Sequence, residues 1–142
     1  MRRGFSLAEL AVVVAVVAVV TLVTLPRLSG LLDWIAVDAA AGEVTTALAV
    51  ARYAAVMQAT RSRLIVAADT LRIDRWRGDT WEAVHRWPGP LDRGVGLEVS
   101  NPVVVFDPIG MGWGVANTKV VLRRGSQIGT ITVSRLGRVK RW

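Results

Sequence analysis

Gly4-Phe5-Ser6-Leu7-Ala8-Glu9-Leu10 leads into an uncharged run that lasts to Pro26, and the reading of this stretch decides the fold. From Leu10 to Leu25 the chain holds only leucine, alanine, valine and two threonines. The 21 residues from Phe5 to Leu25 form, at about 1.5 Å per residue, a helix just long enough to cross a hydrocarbon core of about 30 Å. Arg2 and Arg3 precede it with no acid beside them, which predicts a cytoplasmic N-terminus. A cleaved secretory signal ending near Ala39-Ala40-Ala41, or a twin-arginine signal beginning Arg2-Arg3, would also account for a basic start and an apolar stretch. Neither gives Glu9 a role. A carboxylate costs on the order of 2.5–3.5 kcal/mol at mid-bilayer, so Glu9 calls for a partner and a purpose.

The same residues, Gly4 to Leu10, resemble the processing and methylation motif of type IV pilins and type II secretion pseudopilins. The resemblance implies that a prepilin peptidase cuts between Gly4 and Phe5 and that the new amine on Phe5 is methylated. It also implies that Glu9 pairs with the N-terminal amine of a neighbouring subunit. Such a pairing makes physical sense, because a buried carboxylate and a buried ammonium neutralise each other. Pro26 stands where many pilins carry a helix-bending proline. The four-residue leader Met1–Gly4 is short, with two arginines that suit the family.

Downstream of Pro26 the pattern stays helical to about Arg61, with Leu31, Ile35, Val44, Leu48, Ala51 and Ala55 at spacings of three, four and their multiples. Gly30 and Gly42 weaken this helix locally without ending it. Its second half needs a cover, since Trp34, Ile35, Val37 and Tyr53 would otherwise face water. The cover is predicted to be a β domain of about seven strands: Leu64–Val66, Leu71–Trp76, Trp81–Trp87, Val95–Val99, Val103–Phe106, Lys119–Arg123 and Gln127–Ser134. Gly110-Met111-Gly112-Trp113-Gly114 reads as a loop, because no helix and no phosphate-binding lysine follow it. The fold class is therefore α+β: a long N-terminal membrane helix packed on a C-terminal antiparallel β domain. Its segments are a leader (1–4), a membrane-spanning part (5–25), an amphipathic extension (26–61) and a globular domain (62–142).

This half resembles the GspH/FimT group of minor pseudopilins and minor pilins. Leu48-Ala49-Val50-Ala51-Arg52 is similar to that group's helix end, and Val105-Phe106-Asp107-Pro108-Ile109-Gly110 to its mid-domain turn. Ile131 to Val139, with Leu136-Gly137-Arg138, is similar to its last strand and Gly-Arg ending. The resemblance implies a bacterial inner-membrane, single-pass subunit whose C-terminal domain lies outside the cytoplasm and which assembles into a pilus or pseudopilus. Its partners would be the peptidase, other pilin or pseudopilin subunits and the membrane. DNA or secreted protein cargo would be the thing recognised.

Composition narrows the chemistry. With 142 residues, 52% of them hydrophobic and 20% charged, the chain can bury a core and is not a charge-dominated disordered polymer. It has no cysteine and only one histidine, His85, which leaves thiolate metal sites, histidine clusters and Ser-His-Asp chemistry without their residues. Asp74, Asp79 and Glu82 lie among arginines and read as solvated ion pairs rather than a carboxylate pair. Four of the six tryptophans fall between Trp76 and Trp113, and core packing is the expectation for most of them. No enzyme activity and no cofactor is expected.

Charge is unevenly placed. The formal net charge is +7, and the residues before Lys119 balance to zero. Lys119, Arg123, Arg124, Arg135, Arg138, Lys140 and Arg141 carry the excess, with no acid among the last 24 residues. In competence-associated minor pilins of this group a C-terminal Gly-Arg-x-Arg motif is implicated in DNA binding. Gly137-Arg138-Val139-Lys140 matches it with lysine in the last place, which keeps the charge and loses the bidentate fork. Arg123, Arg135, Arg138 and Lys140 are the expected contact residues. Arg141 is a further candidate that strand alternation would turn to the other face. A terminal strand that only caps a sheet edge with charge is the bland alternative.

Overall fold

The computed structural model describes residues 6–114 and 117–142, so the leader and the Gly4–Phe5 junction lie outside the described residues. Helix α1 runs from Leu7 to Met57 and passes through Pro26. The chain divides into two compact units at Leu32/Asp33.

In the first unit α1 is uncharged from Leu10 to Pro26. An 18-residue window has a mean hydropathy of 2.6 and none of it is buried. The two threonines do not leave free hydroxyls: Thr21 and Thr24 donate to the carbonyls of Val17 and Val20, both at 2.7 Å. Such back-bonding lets a hydroxyl sit in a dry environment. This stretch is long and apolar enough to cross a membrane by length and composition.

In the second unit the rest of α1 packs against two antiparallel sheets. Strands β1 (Ser62–Val66), β2 (Thr70–Arg77), β3 (Thr80–Pro88), β5 (Val103–Phe106) and β6 (Gly112–Trp113) form one sheet in the order β3-β2-β1-β5-β6. Strands β4 (Gly96–Val99), β7 (Thr118–Arg124), β8 (Gln127–Val133) and β9 (Val139–Arg141) form the other, in the order β4-β7-β8-β9. The expectation of about seven strands falls short of the nine described. The two outside the seven are β6 and β9, two and three residues long. β9 is the terminal strand already raised for the basic tail, while β6 lies within Gly110–Gly114, which the sequence reads as a loop; two residues are too short for alternation to register. The helix also ends four residues before Arg61, at Met57.

One core joins helix and sheets: Val37, Ala40, Ala41, Val44, Leu48, Ala51 and Ala55 of α1 meet Leu64, Leu71, Ile73, Phe106, Leu122 and Ile131. Alanine dominates the helical stripe. The expected stripe was partly misplaced. At about 100° per residue, Ile35 and Tyr53 lie roughly opposite Val44 and Ala51 and are exposed, and Leu31 of the first unit is exposed as well. Of the four residues expected to need cover, only Val37 is buried, while Trp34 is half exposed.

Among the described residues three ion pairs tie α1 to the β domain: Asp33 with Arg124 at 2.9 Å, Asp38 with Arg141, and Glu43 with Arg93, the last in the 3-10 turn before β4. The hydrogen bond from Arg93 to Glu43, and then the charge of that carboxylate, raise the pKa of the Arg93 guanidinium above its ordinary value.

Two side-chain expectations are corrected here. Asp74 is not solvated: it is 1% exposed, and its carboxylate is shared by Arg63 and Arg72 at 2.7 and 2.9 Å. A bulge between Ile73 and Asp74 breaks the alternation of β2, so two consecutive residues are buried. Glu82 does behave as expected, with exposed pairings to Arg75 and Arg77. The tryptophans are mostly not core. Trp87 packs on the core, but Trp76 and Trp81 stand edge-to-face, 5.1 Å apart and part exposed, and Trp113 is half exposed under the Arg61 guanidinium.

Candidate basic cleft and the helix N-terminus

Two places carry the residues singled out for function. The first is the start of α1. Glu9 donates its backbone N–H to Ser6 Oγ at 3.2 Å, and the Ser6 N–H donates to Glu9 Oε2 at 3.0 Å. This reciprocal pair is a capping box, which satisfies two donors that a helix N-terminus leaves free. Glu9 therefore has a partner inside its own chain, a role missed in the sequence although Ser6-x-x-Glu9 is its signature. Pro26 removes the N–H that the Leu22 carbonyl would accept, and the helix nonetheless continues on both sides of it.

The second place is on the four-stranded sheet. Antiparallel pairing sets Lys119 of β7 opposite Thr132 of β8, and Thr132 opposite Lys140 of β9. All three therefore share the face turned away from the core, whose buried residues on these strands include Val120, Leu122, Ile131 and Val133. The turn after β8 brings Arg138 to the same rim, its N–H donating to Ser134 Oγ at 3.3 Å. Together these residues line a cleft of about 470 Å3, with hydroxyls from Ser100, Thr132 and Ser134 and no acid among its lining residues. Lys140 Nζ stands 3.3 Å from the Trp142 ring centroid. Cations and hydroxyl donors without a competing carboxylate suit an anion such as a phosphate.

The four expected contact residues and the further candidate Arg141 do not stay together. Arg138 and Lys140 are in the cleft. Arg123 sits farther along β7, beside β4, where it pairs with Glu98 at 3.6 Å. Arg135 contributes its backbone to the turn, donating to Asn117 Oδ1 at 3.1 Å and accepting from the Gly112 N–H at 2.8 Å, and its side chain does not line the cleft. Arg141 turns toward α1 and Asp38, as strand alternation requires. Lys119 is the cation that was not singled out, and only the register of β7 against β8 reveals it. His85 stacks on Trp87 with ring centroids 5.6 Å apart. Among the described residues no three of His, Cys, Asp and Glu come together to hold a metal.

A long apolar N-terminal helix that runs into a domain of antiparallel sheets is the pilin fold. Within it the chain is similar to the type IV minor pilin FimU of Pseudomonas aeruginosa. The identity is 15% and the TM-score 0.63, over 73% of this chain and 86% of that one. It is also similar to the minor pseudopilin EpsH from the Type 2 Secretion System of Vibrio cholerae. There the identity is 10% and the TM-score 0.62, over 75% of this chain and 95% of that one. At such identities the likeness is one of fold. No protein-family model matches the chain, and no curated protein matches it significantly.

Proposed function

We propose that this chain is a minor pseudopilin or pilin subunit, anchored in the bacterial inner membrane by residues 5–25 with its β domain outside the cytoplasm. A prepilin peptidase cleaves it between Gly4 and Phe5, Phe5 is methylated, and the product assembles with other pilin-like subunits. Its work is recognition and assembly without catalysis. The observation that carries this reading is an unburied apolar window joined to a pilin-type β domain in one chain. The first assignment within it is the pseudopilus of a type II secretion system, where the β domain belongs to a tip complex that meets secreted protein cargo.

Glu9 supplies the test, because its two roles separate. Glutamine can still close the capping box but has no charge to offer a neighbour's ammonium. Glu9→Gln is expected to insert into the membrane and to be lost from the assembled filament, as is Glu9→Ala. Fractionation of sheared filaments against membranes reads this out. Incorporation of Glu9→Gln at wild-type levels would reduce Glu9 to a helix cap.

A second reading, a type IV pilus minor pilin that captures DNA for uptake, is favoured by the acid-free cleft of Lys119, Arg138 and Lys140. Binding through three phosphate contacts would show a slope of roughly −3 in log affinity against log salt. Changing Arg138 and Lys140 together to glutamine should flatten that slope by about two. Titration of the full chain in detergent with duplex DNA at several salt concentrations measures it. No binding at low salt, or an unchanged slope, leaves the secretion assignment standing alone.

A further inference from the structure

Three segments picked out in the sequence meet at one place in the second unit: the helix end at Arg52, the turn at Gly110, and the Gly137–Arg138 ending. Arg52 Nη1 donates to the Gly137 carbonyl at 3.3 Å. A Cβ on Gly110 would lie 3.0 Å from Arg52 Nε and 3.1 Å from Val56 Cγ2. One on Gly137 would run into the Gly110 carbonyl oxygen. Both glycines have positive φ, 81° and 70°, so both the missing side chain and the left-handed backbone are required.

The two turns are also fixed internally. Asp107 Oδ1 accepts from the N–H groups of Ile109 and Met111 at 3.0 and 2.8 Å. The Ser134 carbonyl accepts from Gly137 N–H at 2.9 Å, and Gly112 N–H donates across to the Arg135 carbonyl at 2.8 Å.

What this rigid pair of turns holds up is apolar. Ile109 is 72% exposed and Leu136 68%, and Tyr53, Val56 and Met57 of the helix end are exposed as well. A groove of about 430 Å3 runs between Arg52, Val56, Gly137 and Val139. Apolar side chains on turns that are already ordered make strong anchors, because little conformational freedom is lost on binding. The groove carries one cation, Arg52. Among the described residues Arg52 has no acid partner, and Asp107, the acid of these turns, is engaged with its own backbone.

We propose that this surface docks a different protein subunit, one that places an apolar side chain in the groove and a carboxylate against Arg52. A bilayer cannot fill a concave groove or supply a fixed carboxylate. A symmetric contact with a second copy would set Arg52 against its own counterpart and would offer it no carboxylate from these turns, where Asp107 is already engaged. The proposal rests on the filament reading above, in that the partner is another pilin-like subunit of the same assembly.

The test titrates full-length protein in detergent with each of the other pilin-like subunits of its own organism, also full-length. One of them binds, and Ile109→Ser with Leu136→Ser weakens that binding about tenfold or more. Arg123→Gln, on the sheet away from these turns, leaves it unchanged. If no subunit binds, or if the double variant binds as wild type does, the proposal is overturned. Vesicles of phosphatidylethanolamine and phosphatidylglycerol are titrated alongside. An Ile109- and Leu136-dependent interaction with vesicles in place of a subunit would make the surface a membrane contact and also overturn it. Maturation of the wild-type chain at Gly4–Phe5, scored in the same cells, separates the two failures: a chain that never matures undermines the filament reading itself.

Discussion

Gly4→Leu is expected to abolish maturation outright, leaving a full-length precursor in the membrane while the wild-type chain begins at methylated Phe5. A peptidase that cuts after glycine accepts no bulky side chain at that position, and nothing else in the leader offers a substitute. Mass spectrometry of the membrane-extracted protein distinguishes the outcomes directly. A wild-type N-terminus near Ala41 would reassign the apolar stretch to a secretory signal. An intact wild-type Met1 would leave the chain as a simple membrane protein, and in either case the filament reading would fall.

The largest stability effect is expected at Asp74. Its carboxylate is fully buried and is the shared acceptor of two guanidiniums, one of which, Arg63, also stacks 4.5 Å from the Trp81 ring centroid. Asp74→Ala leaves two cations facing each other with no counter-charge. Removing one partner of a buried ionic network costs roughly 3–5 kcal/mol, and the side chains of Arg63 and Arg72 keep enough water contact to favour the lower end. For a domain near 100 residues, about 3 kcal/mol lowers the melting temperature by roughly 10–20 °C. Near-ultraviolet circular dichroism of the full chain in detergent reports the β domain through its tryptophans. A fall of less than about 3 °C would show that water already screens the cluster.

Asp74 also marks the limit of what the sequence discloses. Alternation along Leu71-Arg72-Ile73 is correct, and it fails at the next residue because a bulge is invisible to a period-two pattern. The helix shows the same division. Its existence follows from composition and spacing, yet Ile35 was assigned to the buried face on spacing alone, while the alanines that form that face carry little hydrophobic signal. The basic ending was legible as charge but not as a site. Which of Arg123, Arg138, Lys140 and Arg141 share a face depends on strand register, and register is set by pairings between residues far apart in sequence. The Ser6–Glu9 cap is fully legible, because it is local and Ser6-x-x-Glu9 is its pattern.

The three ion pairs along α1 have a mechanical meaning. Asp33, Asp38 and Glu43 are five residues apart, so successive acids step about 140° around the helix axis. Asp33 falls near the middle of the buried stripe, and the other two fall on opposite flanks of it. Their arginines come from the β7–β8 hairpin, the last strand and the turn before β4. Contacts spread around the circumference oppose rolling as well as sliding of the helix, each of them modestly because the pairs are part exposed. In the filament proposed above, such a joint would pass torque and axial pull from the helix into the β domain at three points.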